Sequence, residues 1–355
     1  MAARKKAAKK STGATAPVDP AKVAKRLGKI GGMASLAIQL RPAGFLSTGM
    51  RTVDLALSGG LPKQRVSHGW GDSSTGKTAL GLWMARRHLL ENPEGLVIIL
   101  DTERALSGDF AGLMMQGVDM GRVIVLEPNT AEECFEMIET ACAEYNGIEI
   151  LIIWDSVAAT LAKAEAEDSY DSKTPAQFAR TMSRGIKKIR PIVTASTATV
   201  LVLNQNRERI GGMVFGDPKK PCGGNALTFH TDLSFRLYRT LFLRPKPGAD
   251  PFGIQVRLKI DKTRVGLPAR ECKFRMYFTL GVMSDLEEVY DMAKRYGLAE
   301  KAGSGVAVCD VQYGSKREFA LALKDDPMLF DTILLNIRAA MFPQETPLAV
   351  VETEE

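Results

Sequence analysis

Four short stretches of the chain are apolar almost throughout: Leu96–Asp101, Arg122–Leu126, Ile148–Trp154 and Thr199–Leu203. None alternates between polar and apolar positions, so each predicts a strand covered on both faces, as in a parallel sheet. Patterns of helical period lie between them, at Ala79–Leu90, Thr130–Tyr145 and Phe178–Ile189. Thr130 and Glu133 have the spacing of a capping box at the start of the second of these. Beyond Phe229 the pattern changes, and Asp232–Leu237, Gln255–Ile260 and Lys273–Phe278 alternate, which predicts an antiparallel extension. Asp285–Pro343 returns to a mixed, largely helical pattern. The expected fold class is therefore α/β: a mainly parallel central sheet flanked by helices, an antiparallel extension, and a small C-terminal α/β lobe.

Composition divides the chain further. Met1–Pro17 is rich in Lys, Ala and Ser and predicts disorder. Pro20 can open a short helix reaching Leu27. Gly31-Gly32 then breaks the chain, and the stretch to Ala43 reads as a linker or docking arm. Leu55–Pro62 predicts a short helix ended by glycines. The expected organisation is 1–44 as a basic tail and arm, 45–284 as the core, 285–343 as the C-terminal lobe and 344–355 as an acidic tail. Of the 355 residues 45% are hydrophobic and 25% charged, as in a soluble globular protein. The net charge of +6 is unevenly spread. Residues 1–30 hold nine Lys or Arg against Asp19, +8, which leaves −2 for the rest. Two readings of this arm stand side by side: contact with phosphate backbones regardless of sequence, or plain solvation. It lacks the apolar core of a signal peptide, and no run reaches membrane-spanning length. Five scattered cysteines form no C-x-x-C pair and three histidines form no metal motif, which predicts reduced thiols and a cytoplasmic location.

The densest chemical signal is Gly71-Asp72-Ser73-Ser74-Thr75-Gly76-Lys77-Thr78, which fits G-x-x-x-x-G-K-[ST], a phosphate loop. Gly71 and Gly76 let the backbone turn so that successive N–H groups face a β-phosphate. Lys77 brings a point charge to the β- and γ-phosphates, and the Thr78 hydroxyl can hold Mg²⁺. The helix that follows adds the positive end of its dipole.

Ligands of such sheets bind at the carboxyl ends of the strands, and Asp101, Glu103, Asp155 and Gln205 fall there. Asp155, behind Ile150–Trp154, has the placement of an acid that positions Mg²⁺; the alternative is a strand that merely ends in Asp. Glu103 can orient and deprotonate a water attacking the γ-phosphate, or be a surface carboxylate. Gln205 can contact the γ-phosphate, or simply satisfy a sheet end. Glu165–Thr174 and Asn206–Gly224 predict long functional loops. The second carries Arg207, Arg209, Lys219 and Lys220 among glycines, which suits a phosphodiester backbone. Arg180, Arg184 and Lys187 recur on one predicted helical face, for DNA or for solvent.

Taken in order, LSTGMRTVDLALSGGLP, the phosphate loop, LDTERAL, LIIWDSVAA, ARTMSRGIKKI, LNQNRERIG, FGDP, GGNALTF and KIDKTRVG form a specific set. With them the chain resembles the RecA recombinase family, bacterial and phage-encoded, from about Phe45 to Pro343. The resemblance implies a RecA-type P-loop ATPase core. It further implies that Glu103 is the catalytic carboxylate, Asp155 the Mg²⁺-positioning acid and Gln205 the γ-phosphate switch. Ser107 and Phe110 fall at adenine contacts, and Lys262 and Arg264 at a pair that reaches the ATP of a neighbouring subunit. Arg180, Ser183, Lys187, Arg207, Gly223, Gly224 and Asn225 fall along the single-stranded DNA path, and Phe229 at a subunit contact. Asp72 and Ser73 stand where the family usually has Pro-Glu, Ser107 replaces an acid, Phe110 a tyrosine and Arg264 a lysine. The Lys-rich tail has no counterpart.

The function so implied is ATP-dependent homologous pairing and strand exchange by a filament on single-stranded DNA, with ATP and Mg²⁺ as cofactors. Implied partners are single- and double-stranded DNA, further copies of the chain in a helical filament, and single-strand-binding or mediator proteins, with no membrane. Two alternatives share the core: a non-catalytic recombinase paralogue that loads or caps filaments, and a helicase motor.

Overall fold

The computed structural model describes residues 43–167, 177–208, 219–223, 226–266 and 270–341, with backbone alone at 167, 207, 208, 219 and 220. The readings made above for the basic tail, the arm before 43 and the acidic end lie outside these residues. The first half runs β1 (Phe45–Leu46), α1 (Arg51–Ala56), β2 (Leu61–Pro62), β3 (Val66–Gly71), α2 (Lys77–Glu91), β4 (Leu96–Asp101), α3 (Gly108–Met114), β5 (Val123–Leu126), α4 (Ala131–Glu144) and β6 (Ile150–Asp155). It continues with α5 (Lys163–Glu167), α6 (Gln177–Thr194), β7 (Ala198–Glu208), β8 (Lys219–Pro221), α7 (Ala226–His230), β9 (Leu233–Leu243), β10 (Gly253–Thr263), β11 (Glu271–Tyr277) and β12 (Val282–Ser284). Last come α8 (Val289–Arg295), β13 (Ala299–Ala302), β14 (Gly305–Val308), β15 (Val311–Tyr313), α9 (Lys316–Asp325) and α10 (Pro327–Met341).

The main sheet has the order β12-β11-β10-β9-β3-β7-β6-β4-β5, with β8 added to β7. Strands β9, β3, β7, β6, β4 and β5 are parallel, and β9 through β12 pair antiparallel. This is the α/β layout the apolar runs predict. Each buried strand feeds two cores in turn. Ile99, Ile153 and Leu201 face α2, with Leu80 and Met84. Ile98, Ile152 and Val200 face α4 and α6, with Ile138 and Ile186. The period-2 alternation is thus present, but both sides of it are apolar.

Several boundaries move. The short helix expected over Leu55–Pro62 lies earlier, at Arg51–Ala56, and Leu61–Pro62 is the strand β2. Of the loop expected over Glu165–Thr174, Glu165–Glu167 belong to α5 and the rest lies outside the described residues. Helix α6 continues past Ile189 through Pro191, because Ile189 and Val193 extend its buried stripe onto the sheet. Strand β7 extends past Gln205 to Glu208, since Asn206, Arg207 and Glu208 pair with Pro221, Lys220 and Lys219. The start of the predicted loop is therefore an antiparallel ribbon. Residues 285–341 pack their apolar side chains, among them Val289, Phe319 and Ile337, into the α2-side core. There the buried Asp285 accepts from the Thr52 N–H at 2.6 Å and from its hydroxyl at 2.8 Å.

Candidate nucleotide site

Strand β3 stands in the middle of the parallel sheet, and the chain leaves it at Gly71 and returns as α2. The turn uses the left-handed region at Ser74 (φ 58°) and Gly76 (φ 86°). Only glycine fits at Gly71, where a Cβ would lie 2.5 Å from the Leu237 carbonyl oxygen. Lys77, buried at the first position of α2, donates from Nζ to the carbonyls of Gly71 (3.2 Å) and Asp72 (2.8 Å). The Thr75 hydroxyl donates to the same Asp72 carbonyl at 2.9 Å.

Strand register brings the predicted acids and amide to this loop. Gln205 is level with Gly71, and Asp155 with Asp101. The Thr78 hydroxyl donates to Asp155 Oδ2 at 2.5 Å. Glu103 Oε1 accepts from Gln205 Nε2 at 2.7 Å and from the Ser156 hydroxyl. The turn that presents Glu103 is pinned at both ends: the Thr102 N–H donates to the Asp155 carbonyl (2.9 Å), and the Leu106 N–H to buried Asp101 (2.9 Å). Asp101 is therefore a turn former. Two further side-chain bonds reach the loop from β7, Ser73 Oγ to Gln205 Oε1 at 3.3 Å and Asn206 Nδ2 to Asp72 Oδ1 at 2.7 Å.

Electrostatics follow burial. Desolvation pushes the Lys77 ammonium down from its usual pKa, and Asp155, Glu103 and Asp72 pull it back up. Burial likewise pushes Asp155 up to about 6, against the Thr78 hydrogen bond and with the help of Glu103. A cation and an anion are thus held under-compensated at one point, which favours a ligand bearing both signs, such as a metal-bound polyphosphate.

The loop opens into a cleft of about 580 Å³ lined by Lys77, Thr78, Glu103, Asp155, Gln205 and Phe110, among others. Its far wall comes from the antiparallel extension: Arg239, Phe242, Ile254, Met276 and Phe278. Arg239 lies over the Phe242 ring at 4.3 Å, and Phe110 and Phe278 are both exposed. Sequence reasoning missed this wall, for which the only signal is an alternating strand ending in an aromatic residue. It also missed Ser156 and Asn206. The Ser107 hydroxyl accepts from the Phe110 N–H as the cap of α3.

Lys262 and Arg264 are not brought to this cleft. Gly71 is level with Leu237, which pairs with Leu258, whereas Lys262 pairs with Ser234. The separation is roughly 13 Å along β10 and about 10 Å across two strands, toward the amino ends of the parallel strands. Lys262 Nζ donates there to the carbonyls of Thr228 (3.0 Å), Phe229 and Thr231 (3.1 Å), and Arg264 to Phe229 (3.3 Å). Burial, then neighbouring Arg264, lowers the Lys262 pKa. His230 is lowered as well, by burial and then by Lys187, Lys262, Arg264 and Arg190. A dense cationic patch therefore occupies the end of the sheet opposite the phosphate loop.

The predicted basic face of α6 divides. Arg180 and Arg184 line a groove against the α4 acids Glu132, Glu136 and Glu139, and neighbouring Lys188 bonds Glu139 at 2.7 Å. Lys187 is exposed on the side of His230, and Ser183 is half-buried. Gly223 follows β8 with φ 77°, and a Cβ there would press on Phe178 at 3.2 Å. Arg207 is described by its backbone in β7; Gly224, Asn225 and Arg209 lie outside the described residues. Among those residues no group of three or more His, Cys, Asp or Glu could hold a metal, and no helix is long and apolar enough to cross a membrane.

Comparison with known sequences agrees with this geometry. A sequence profile of the RecA N-terminal domain matches residues 20–283. The RecA protein of a Nitratiruptor species is 33% identical over 318 residues, covering 89% of this chain and 90% of that protein. RecA of Arthrospira platensis is 32% identical over 297 residues (83% and 79%), and RecA of a Helicobacter pylori strain 32% over 309 residues (86% of each).

Proposed function

The chain belongs to the RecA family, and from that premise we propose how it works as an ATP-dependent recombinase in recombination and repair. It is a DNA-dependent ATPase that assembles on single-stranded DNA as a helical filament and catalyses homologous pairing and strand exchange. The observation that carries this reading is the division of charged groups between the two ends of one sheet. Gly71–Thr78, Glu103, Asp155 and Gln205 converge at the carboxyl end, and Lys262 and Arg264 stand at the other. Neither cation can reach its own phosphate loop. Head-to-tail stacking would place them on the nucleotide of the next protomer, a heterologous contact that propagates as an open helix.

The donor set fits the cofactors. Gly71 and Gly76 leave the backbone free to wrap a β-phosphate, and Lys77 supplies the charge. The Thr78 hydroxyl and Asp155 carboxylate are hard oxygen donors suited to Mg²⁺. Bound there, Mg²⁺ would neutralise charge developing on the phosphates. Glu103, held by Ser156 and Gln205, orients the attacking water and takes its proton. Phe110 and Phe278, on the cleft walls, would flank the adenine. We assign Gln205, bonded to Glu103, the role of registering the γ-phosphate; its own strand continues into the ribbon that Gly223 follows. We assign Arg180, Ser183, Lys187, Arg207, Gly223, Gly224 and Asn225 to the DNA path. Backbone and phosphate contacts there do not read sequence, so homology is tested by base pairing.

The deciding experiment is Lys262→Ala/Arg264→Ala. ATP hydrolysis with and without single-stranded DNA, and filament formation by electron microscopy, are measured beside binding of ATP to the free protomer. DNA-stimulated turnover should fall by about 10³-fold or more, as for a cation supplied in trans, with protomer ATP affinity retained. Undiminished stimulation would refute the interprotomer site.

A further inference from the structure

The phosphate loop of this chain has a second tie to β7, separate from the Gln205 contacts. Asp72 is its centre. Its backbone carbonyl accepts from the Lys77 ammonium at 2.8 Å and from the Thr75 hydroxyl at 2.9 Å, while its carboxylate accepts from Asn206 Nδ2 at 2.7 Å. An ammonium has three protons. Two of them lie on the carbonyls of Gly71 and Asp72, and the third is available to a phosphate. A phosphate that pulls on Lys77 therefore pulls on the peptide of Asp72, whose side chain holds Asn206.

Asn206 in turn belongs to the base of the β7/β8 ribbon, opposite Pro221. That base is closed by Asn204 Nδ2 on the Cys222 carbonyl at 2.9 Å and by the Cys222 N–H on the Gln205 carbonyl at 3.1 Å. Gly223 follows directly. Asn206 Oδ1 is buried with no hydrogen-bond partner among the described residues, so the bond to Asp72 is what sets this side chain's orientation. The Gln205 amide is engaged elsewhere, with Glu103 and Ser73.

We propose that Asn206 is a positioning residue: through Asp72 it transmits occupancy of the phosphate loop to the β7/β8 ribbon, in parallel with Gln205, and so sets how strongly grip on single-stranded DNA depends on nucleotide. This rests on the recombinase reading above.

The test compares Asn206→Leu, which removes the donor, with the reversed pair Asp72→Asn/Asn206→Asp, which exchanges donor and acceptor. Affinity for a fluorescent oligothymidine is measured with Mg²⁺ and a non-hydrolysable ATP analogue, and again with ADP. In Asn206→Leu the ratio of the two affinities should shrink by about tenfold, the scale of one charge-assisted hydrogen bond, and the reversed pair should restore it. A general structural defect would instead lower both affinities together and leave the ratio intact. An unchanged ratio in Asn206→Leu, or no recovery in the reversed pair, overturns the proposal. A wild-type protein whose DNA affinity ignores nucleotide would overturn the recombinase reading itself, and this proposal with it.

Discussion

His68 sits on β3, three residues before the phosphate loop, with 0% of its surface exposed. Its Nδ1 lies 3.2 Å from Ser234 Oγ, and Nε2 has no hydrogen-bond partner among the described residues. Burial alone lowers its pKa from 6.5 to about 3. The folded protein therefore holds His68 neutral, while the unfolded chain takes up the proton as pH falls through 6.5. The stability linked to it is complete above the unfolded value and is lost as pH falls from about 6.5 toward 3. Between about pH 7.5 and about pH 5 the loss is about 2 kcal/mol, and any folded pKa below about 4 gives the same figure. The assay is urea unfolding of the wild type and His68→Gln at both pH values. The variant's own cost of substitution cancels in the comparison, as do all other titrating groups. The pH-induced loss should be smaller by about 2 kcal/mol in His68→Gln. Equal losses in both proteins would show that His68 is protonated, or exchanges freely with solvent, in the native sheet.

Two further outcomes follow from packing and chemistry. In Glu103→Gln, the amide oxygen can still accept from Ser156 or Gln205 but the base is gone, so single-turnover ATP hydrolysis should fall by about 10²–10⁴-fold with nucleotide affinity little changed; a loss under tenfold would remove Glu103 from the base role. Gly185→Ala would place a Cβ 2.0 Å from the Phe135 ring at the α4/α6 contact, a destabilisation of about 1–3 kcal/mol by overpacking that Phe135→Leu in the same chain should partly relieve, as read by urea unfolding.

What was legible in the sequence was chemistry at fixed short spacing. Gly71 to Thr78 form one turn, so their spacing is their geometry, and Thr130 and Glu133 make the reciprocal bonds of a capping box as their separation of three requires. Asp155 and Gln205 could be assigned to one edge because uninterrupted apolar runs imply parallel strands, and parallel strands share a carboxyl end. The far wall of the cleft was not legible. Arg239 comes from β9 and Phe278 from just past the end of β11, strands whose order in the sheet is not encoded locally. The cations of α6 were correctly placed on a helix, but which of them turn toward the acids of α4 depends on where α4 packs.

The Asp72–Asn206 contact, 134 residues apart in the chain, illustrates why. A strand such as Thr199–Leu203 is apolar on both sides, so a slip of one residue moves its side chains from one core to the other without exposing a polar group. Its apolar stretch therefore specifies register weakly. The polar groups at the strand end specify it more strongly. Asn204 is fully buried with its Nδ2 on the Cys222 carbonyl, and Asn206 donates its Nδ2 to Asp72. Shifting β7 by one position would exchange their faces and leave buried amides without those partners, at about 1–3 kcal/mol for each unsatisfied group. The same side chains that make the cleft thus align the strands that form it. For that reason a substitution at Asn206 has to be judged by the nucleotide dependence of DNA binding, a ratio that distinguishes the loss of a signal from the loss of a strand's footing.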